Sequence, residues 1–254
     1  MAEKIIEAIG AFAMKSVGPG GDFEIGMDTW NCGGNPVTFR CFKGPAHTPT
    51  LGDYFRRYML SPTQRNKEFI VYENERYTFA EVFDIVSALA HVLKAAFSVQ
   101  KGDRVCIAMR NYPEWCFSFM AATAIGCVAV PVNGWWGPHE LEYGLQDSGS
   151  KVLICDRERY NRASHCLAKL GIRALSVRAQ ISGVASFDVL VESAVLARKQ
   201  LPDVSVHTDD PAAMMYTSGT TGHPKGVVLT HRGITNQMTT VSVPSCIPET
   251  MLRA

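Results

Sequence analysis

The glycines in one short stretch of the sequence could bring the backbone close to an anion. Residues 212 to 232 read AAMMYTSGTTGHPKGVVLTHR, in which an apolar segment runs into a loop and then into a second short apolar segment. Gly219, Gly222 and Gly226 permit positive φ angles, so that successive amide hydrogens can point at phosphate oxygens. The pattern predicts a phosphate-binding loop between two strands, with a structural Gly-rich turn as the alternative.

The same loop carries hydroxyl groups and one full positive charge. Lys225 supplies the charge, and Pro224 restricts the backbone just before it. The hydroxyl donors on the same arc are Ser218, Thr220 and Thr221. Such donors and a cation together suit a triphosphate or pyrophosphate. The ordinary P-loop pattern is not met, because two residues separate Gly222 from Lys225, and a simple nucleoside triphosphatase is therefore disfavoured.

Strand and helix patterns alternate upstream of this loop and predict the elements that position it. The predicted strands are RVCIAM at 104–109, CVAVP at 127–131, KVLICD at 151–156 and IRALSV at 172–177. Helical patterns at 113–125, 138–147 and 157–170 separate them. This spacing predicts an α/β fold with right-handed crossovers and a largely parallel sheet that has helices on both faces. Ligands in such folds usually lie beyond the carboxyl ends of strands, where the loop is expected.

A second group of patterns precedes the alternating region. A helix is predicted from Thr50 to Leu60, followed by two short strands in EFIVYENERYTF and a capping box, TFAE, at 78–81. The helix that follows the box has one apolar stripe and is expected to bury it against a sheet. The stripe comprises Phe79, Val82, Phe83, Val86, Leu89, Ala90, Leu93 and Phe97.

Residues 1–48 contain two Gly/Pro-rich patches and no sustained periodicity, which predicts an irregular N-terminal arm. The remainder, residues 49–254, is then expected to form the domain that carries the loop. Within it, 115–132 is uncharged for 18 residues, but Gly126 and Pro131 punctuate the run. We interpret it as a buried helix and a buried strand rather than a membrane span.

Composition excludes several classes of function. The chain has 254 residues, 46% of them hydrophobic, and 25 basic against 24 acidic side chains, which gives no reason to expect nucleic acid as a partner. The eight cysteines include no Cys-x-x-Cys pair and no zinc-finger spacing, so we interpret them as reduced thiols and predict no metal site. Acidic residues near the N-terminus favour a cytoplasmic protein, with a peroxisomal or peripheral membrane location as alternatives.

The string YTSGTTGHPKG resembles the signature of the adenylate-forming (AMP-binding) superfamily, which includes acyl-CoA synthetases, aryl-CoA ligases, luciferases and peptide-synthetase adenylation domains. Other segments look like the N-terminal segments of that superfamily and follow in the expected order. They are YTFAEV, KGDRVCIAMRNYPEW, AIGCVAVPVN and ELEYGLQDSGSKVLICD. AVPVNGWW and the ELEYGL stretch favour the acyl-CoA synthetases.

This resemblance implies an activity. In the family, a carboxylic acid attacks Mg-ATP to give an acyl-adenylate, and a thiol, usually that of coenzyme A, then displaces AMP. The resemblance implies ATP with its Mg²⁺, coenzyme A and a small apolar or fatty carboxylic acid as the ligands. Lys225 is the implied catalytic residue, because its charge stabilises the departing pyrophosphate. The implied phosphate-binding residues are Thr217, Ser218, Gly219, Thr220, Thr221, Gly222 and Lys225.

Five further residues, His231 and the pairs Trp135–Trp136 and Arg110–Asn111, have two interpretations each. His231 could line the acyl or nucleotide pocket, although a packing role is favoured. Trp135 and Trp136 could border an access path for an apolar acid, although burial in a loop is favoured. For the Arg110–Asn111 pair, too, a structural role is favoured over a role in the site.

The family's adenine-binding segment, its magnesium-binding acid, its ribose-binding Asp and its C-terminal domain with a catalytic Lys follow the loop, and we expect the 254 residues to lack them. Two hypotheses result. One is a ligase that is incomplete as it stands, and the other is a noncatalytic remnant or interaction module that keeps a phosphate-binding loop.

Overall fold

The computed structural model of the protein describes residues 11, 15–32, 35–44, 47–218 and 222–245. They fall into two compact units, one drawn from 1–49 and 231–254 and the other from 50–230. The strands are β1 (Ile25–Cys32), β2 (Asn35–Phe42), β3 (Glu68–Tyr72), β4 (Glu75–Thr78), β5 (Arg104–Ala108), β6 (Val128–Pro131), β7 (Ser150–Cys155), β8 (Arg173–Ser176), β9 (Ala185–Ser186), β10 (Pro211–Thr217) and β11 (Lys225–Thr230). The helices are α1 (Leu51–Met59), α2 (Phe79–Ala95), α3 (Pro113–Ala124), α4 (Pro138–Ser148), α5 (Arg157–Leu170), α6 (Phe187–Leu196) and α7 (His231–Ser245).

The larger unit is built on a seven-stranded sheet in the order β11-β10-β6-β5-β7-β8-β9. Every neighbouring pair in it is parallel except β10 with β11, which is antiparallel. The predicted α/β fold with a largely parallel sheet is therefore confirmed. The carboxyl ends of β10, β6, β5 and β7 consequently lie along one edge of the sheet.

The central strand β5 explains why the sheet is covered on both sides. Val105 and Ile107 point to one face and Cys106 and Ala108 to the other, because side chains alternate along a strand. All four are fully buried, which requires packed elements on both faces. Cys106 and Ala108 belong to a cluster that includes Leu141 and other residues of α4 and α5.

The helices divide between the two faces according to the strand order. From β5 the chain moves to β6 on one side and then crosses to β7 on the other, so right-handed crossovers place α3 on the opposite face from α4 and α5. In agreement, α4 packs beside α5, whereas α2 contacts α1, α3 and α6, and α1 also contacts α3. Because the chain changes sides of β5 between β6 and β7, helices cover both faces of the sheet, as predicted.

Helix α2 begins at the predicted capping box. The Thr78 side chain accepts a hydrogen bond from the Glu81 amide at 3.3 Å, and Glu81 Oε2 accepts one from the Thr78 amide at 2.7 Å. Seven of the eight residues in the predicted stripe are buried, and Phe79 is half-buried. The neighbours of α2 include the helices α3 and α6 and the β3–β4 hairpin, so the stripe serves packing between helices as well as the sheet predicted for it.

The uncharged run at 115–132 is divided as predicted. It contributes most of α3 and all of β6, with Gly126 at φ +71° between them. No helix in the described ranges combines the length and apolar character needed to cross a bilayer.

The smaller unit corrects one expectation. β1 and β2 form an antiparallel ladder from Ile25↔Phe42 to Cys32↔Asn35, so residues 1–48 are not irregular throughout. Met27 and Val37 leave about half of their surface exposed, and the apolar alternation that identifies a half-buried strand is weak here. In the same unit, the amide of Phe42 donates to Asn236 Oδ1 of α7 at 2.8 Å.

The six cysteines with described surroundings are free thiols, and five of them are buried. Burial raises the pKa of Cys127 to about 12 and that of Cys106 further, so both remain protonated at neutral pH.

Candidate functional site

The predicted loop joins β10 (Pro211–Thr217) to β11 (Lys225–Thr230). The two strands pair from Pro211↔Thr230 to Thr217↔Lys225, so Thr217 and Lys225 form the last pair before the loop. β10 in turn runs parallel to β6, with Ala213 opposite Ala129. Because β10 is parallel to its neighbour, the loop leaves the sheet at the edge formed by the carboxyl ends of the strands, where ligands of open α/β sheets bind.

Four of the seven predicted phosphate-binding residues lie within the described part of the chain. Thr217, Ser218, Gly222 and Lys225 are all exposed to solvent. The other three, Gly219, Thr220 and Thr221, lie outside the described residues. Thr217 Oγ1 donates to the carbonyl oxygen of Lys225 at 3.5 Å, which is a weak hydrogen bond across the hairpin.

Glycine is needed for different reasons at two of the predicted positions. Gly222 has φ +133°, which L side chains rarely adopt, and a Cβ there would meet no atom within 4 Å. The expected positive φ is thus confirmed for Gly222. It is wrong for Gly226, which lies in β11 and has no such angle. A Cβ at Gly226 would instead come within 3.0 Å of Met214 Sδ, so the glycine there makes room for the facing side chain.

Lys225 keeps its charge available to a ligand. Among the described residues, no carboxylate forms an ion pair with its ammonium group. Hydroxyl groups of Thr217 and Ser218 lie at the same end of the hairpin. The described part of the loop therefore presents a cation and neutral donors and no competing anion, which is what a polyphosphate requires.

Helix α4 (Pro138–Ser148) holds the end of the loop next to Lys225. Tyr143 Oη donates to the carbonyl oxygen of Pro224 at 3.1 Å. The ring of Tyr143 also stacks on that of His223, with centroids 4.5 Å apart and planes inclined by 17°. Two contacts on consecutive residues fix both the position and the direction of the chain as it enters Lys225.

The same helix holds the strand on the other side of the loop. Tyr216, which precedes Thr217, donates from Oη to Asp147 Oδ2 at 2.6 Å. Burial, followed by the hydrogen bond and charge of Asp147, raises the pKa of Tyr216 well above its usual value. The phenol therefore remains a donor at all physiological pH values, and both flanks of the loop are fixed to one helix.

Sequence reasoning missed this support. Tyr143 and Asp147 are four residues apart, a spacing that places side chains on one face of a helix, and this was the available signal. Close approach at this point also depends on Gly144, since a Cβ there would lie 2.6 Å from Trp136 Cζ3. The Trp136 ring in turn packs edge-on against Tyr216, with centroids 5.5 Å apart.

A second concave site lies beyond the carboxyl ends of β5 and β6. It is a cavity of about 470 Å³, and its lining includes Arg110, Asn111, Trp115, Trp135 and Arg159. β5 is the strand at which the chain reverses its direction across the sheet, so the cavity lies at a topological switch point.

The side chains at this cavity are of two kinds. Trp135 is 81% exposed, so the favoured interpretation of burial is wrong for it, whereas Trp136 is half-buried by packing. Arg159 is buried and holds the loop in place by donating to the carbonyl oxygen of Gly134 at 2.8 Å. The cavity therefore has one free indole at its mouth and a fixed basic wall.

The basic wall contains more positive than negative charge. Although burial opposes the effect, Arg159 together with Arg110 and Arg162 lowers the pKa of Glu158. Arg159 also pairs with Asp156 at 3.1 Å. Three guanidinium groups thus share two carboxylates, which favours an anionic ligand at this edge.

His231 is placed away from solvent. It begins α7 (His231–Ser245), and its side chain is fully buried, as the packing interpretation predicts. It belongs to the smaller unit, whereas the loop belongs to the larger one.

The fold agrees with comparisons to known proteins. Residues 61–252 match the family described as AMP-binding enzyme. The chain belongs to the AMP-binding enzyme family. The predicted resemblance to the adenylate-forming superfamily is thereby confirmed.

Relatives in the AMP-binding family include several CoA ligases. Over 161 residues the chain is 35% identical to 4-coumarate–CoA ligase 3 of Oryza sativa subsp. japonica, which covers 63% of the chain and 28% of that protein. It is 39% identical to the long-chain-fatty-acid–CoA ligase FadD13 of Mycobacterium tuberculosis, covering 63% of the chain and 30% of the relative. It is 30% identical to the acetyl-coenzyme A synthetase of Saccharophagus degradans, in a match that covers 84% of the chain and 34% of that protein.

Solved structures of AMP-binding enzymes share the fold. The anthranilate CoA ligase AuaEII, in complex with anthranoyl-AMP, superposes with a TM-score of 0.65 at 25% identity, covering 73% of this chain and 35% of that one. The N-terminal domain of FACL13 from Mycobacterium tuberculosis superposes with a TM-score of 0.59 at 30% identity, and the match covers 72% of this chain and 44% of that one. The chain spans about a third of the length of the relatives named above.

Proposed function

We propose that the loop from Thr217 to Lys225 binds the β- and γ-phosphates of ATP, and that a complete adenylation domain containing residues 49–254 is an ATP-dependent acid–thiol ligase. The observation that carries the proposal is the hairpin closed by Thr217 and Lys225, which presents an unpaired cation at the carboxyl edge of the sheet. Membership of the AMP-binding enzyme family supports it.

The residues of this chain would act electrostatically. The ammonium group of Lys225 and the hydroxyls of Thr217 and Ser218 neutralise charge on the pyrophosphate as it leaves, without themselves forming a bond to it. Tyr143 and Tyr216 are positioning residues, because they hold the two flanks of the loop against α4. We assign Mg²⁺ to ATP as its counter-ion, since the described loop residues offer hydroxyls and a cation and no carboxylate.

The acid and the thiol are assigned by chemical class. We propose a small apolar or fatty carboxylic acid as the substrate and coenzyme A as the thiol. The cavity beyond β5 and β6 suits the nucleotide end of coenzyme A, because the exposed indole of Trp135 can stack on a base and the basic wall favours phosphate. This use of Trp135 replaces the predicted access path for an apolar acid.

The phosphate loop is tested by calorimetric titration of the 254-residue chain with ATP and with pyrophosphate. Lys225→Ala is expected to weaken both by about tenfold or more, the loss of one charge-assisted contact. Lys67→Ala is the matched control, because Lys67 is an exposed lysine outside the loop. Equal affinities for the wild type and Lys225→Ala would exclude the loop as the phosphate site.

Turnover separates the ligase from the alternative, a phosphate-binding module without catalysis. The chain is incubated with ATP, coenzyme A and a panel of fatty and aryl acids, and pyrophosphate release is followed. Acid-dependent release supports a ligase that is complete in these residues. Pyrophosphate binding without release supports the module.

The coenzyme A assignment has its own readout. Trp135→Ala should weaken binding of desulfo-coenzyme A and leave pyrophosphate binding unchanged. Loss of both would show that Trp135 acts through the fold, and loss of neither would place coenzyme A elsewhere.

A further inference from the structure

A cavity on the opposite face of the sheet from α4 has chemistry that the phosphate loop does not use. It is enclosed by α2 (Phe79–Ala95), α3 (Pro113–Ala124) and α6 (Phe187–Leu196) and has a volume of about 430 Å³. That volume lies in the lower part of the range for small-molecule sites. The apolar part of its lining includes Ile85, Phe117, Val191 and Val195.

One buried carboxylate in the lining has an unused oxygen. Glu114 is only 6% exposed, and its Oε1 accepts a hydrogen bond from Arg178 Nε at 2.8 Å. No group among the described residues donates to Oε2, although this atom is shielded from solvent. A buried acceptor without a donor is unfavourable, so a ligand that donates to it would be favoured over one that does not.

The rim of the same cavity adds two more carboxylates. Asp188 and Glu192, four residues apart on α6, are exposed, and both line the cavity. Burial, followed by the charge of Glu192, raises the pKa of Asp188, against the opposing effect of Arg178. The two carboxylates therefore repel each other and are not neutralised by a cation of their own.

Arg178, the cation that contacts Glu114, is already engaged. Arg178 binds both oxygens of Glu75 at 2.8 Å in addition to Glu114, so its donors are directed at those two groups. Arg198 and Lys199 follow α6 and line a neighbouring cavity. The cavity lining thus includes three carboxylates, Glu114, Asp188 and Glu192, and no cation among its described residues, which favours a positively charged ligand.

We propose that this cavity binds a small, singly protonated amine that carries an apolar group. The ammonium would donate to Glu114 Oε2 and lie near Asp188 and Glu192, while the apolar group would fill the space between Ile85, Phe117 and Val191. A neutral apolar compound would leave the Glu114 oxygen without a donor. An anion would be repelled by the rim carboxylates.

The proposal is tested by calorimetric titration of the 254-residue chain with three compounds of similar shape. They are 2-phenylethylammonium, the neutral 2-phenylethanol and the anionic 3-phenylpropionate. The amine is expected to bind about tenfold more tightly than the alcohol, and the anion more weakly than either. Equal affinity of amine and alcohol, or tighter binding of the anion, would overturn the proposal.

Substitutions locate the binding to this cavity. Glu114→Gln keeps the shape of the side chain and should weaken the amine by about tenfold while leaving the alcohol unchanged. Because this residue is buried, the exposed pair Asp188→Asn with Glu192→Gln provides a second variant that preserves the fold, with a smaller expected loss. Asp84→Asn, an exposed acid on α2 outside this cavity, is the matched control.

The remaining outcomes also decide the matter. Amine binding that is unchanged in both Glu114→Gln and the double variant would place the site elsewhere and refute the proposal. Failure of the free amine to bind, combined with binding of a lysine-bearing peptide, would identify the occupant as a protein segment and equally refute it. Pyrophosphate affinity should be unchanged in the rim variant, which keeps this site separate from the phosphate loop.

Discussion

Tyr143 Oη and the carbonyl oxygen of Pro224 lie 3.1 Å apart, although 81 positions separate the two residues in the sequence. This hydrogen bond attaches helix α4 to the residue that precedes Lys225. Since the ring of Tyr143 also stacks on His223, one side chain orients two consecutive residues of the phosphate loop.

Removing the hydroxyl of Tyr143 should therefore affect the ligand more than the fold. We expect Tyr143→Phe to weaken ATP binding by about three- to tenfold, the value of one neutral hydrogen bond, with little change in melting temperature. Calorimetric titration measures the first and thermal unfolding the second. Tyr160→Phe is the control, because the Tyr160 hydroxyl makes no hydrogen bond to a described residue. A Tyr143→Phe protein that binds ATP as well as the wild type would show that the bond is not needed.

A methyl group at Gly222 should act through the backbone alone. Its φ of +133° is unfavourable for alanine, while the space around it is open, so Gly222→Ala is expected to change the loop conformation or to cost about 1 to 3 kcal/mol. We predict weaker pyrophosphate binding by calorimetry. Gly183→Ala is the matched control, since Gly183 has φ +75° and equally open surroundings but lies outside the loop. It should lower stability and leave pyrophosphate binding intact, and a similar loss of binding in both variants would contradict the prediction.

The ion-pair network of Arg178 should contribute to stability. Its guanidinium binds Glu75 and Glu114 and lies over the rings of Tyr72 and Tyr112, at 5.2 and 4.9 Å from their centroids. Arg178→Ala leaves Glu114 buried without its partner, so we expect a loss of about 2 kcal/mol in the free energy of unfolding. Urea denaturation measures it. Arg157→Ala, which removes an exposed arginine, should cost much less, and a comparable loss there would refute a special role for Arg178.

The same network predicts a dependence on pH. A hydrogen bond from Arg178 and a weaker effect of the hydrogen bond from Tyr77 lower the pKa of Glu75 below its ordinary value of 4.5, although burial opposes them. A lowered carboxyl pKa gives stability that is fully present above about pH 4.5 and is lost as the pH falls through the folded-state value. The difference in unfolding free energy between wild type and Arg178→Ala should accordingly shrink when urea denaturation is repeated at about pH 3. An unchanged difference would mean that the charge of Glu75 does not contribute.

Strand, helix and loop identities were predictable because they depend on neighbouring residues. Alternation around Val105 and Ile107 identified the buried strand, and Thr78 with Glu81 identified the start of α2, since caps and side-chain periods are local properties. The residue types from Thr217 to Lys225 indicated phosphate binding for the same reason. The β1–β2 ladder was missed because its strands leave much of their apolar surface exposed and lack a clear period.

The α/β fold and the family could thus be predicted from the residues alone, and the phosphate-binding role proposed for Thr217 to Lys225 rests on nine consecutive positions. The contacts that hold the loop are visible only in the folded protein, because Tyr143 and Asp147 lie on a helix about 70 to 80 positions before their partners Pro224 and Tyr216. The packing also brings Glu114 to Arg178, 64 positions further on, and leaves the other carboxylate oxygen of Glu114 without a donor among the described residues. Such pairs depend on how helices pack across a sheet, and no local pattern specifies which distant side chains that packing brings together.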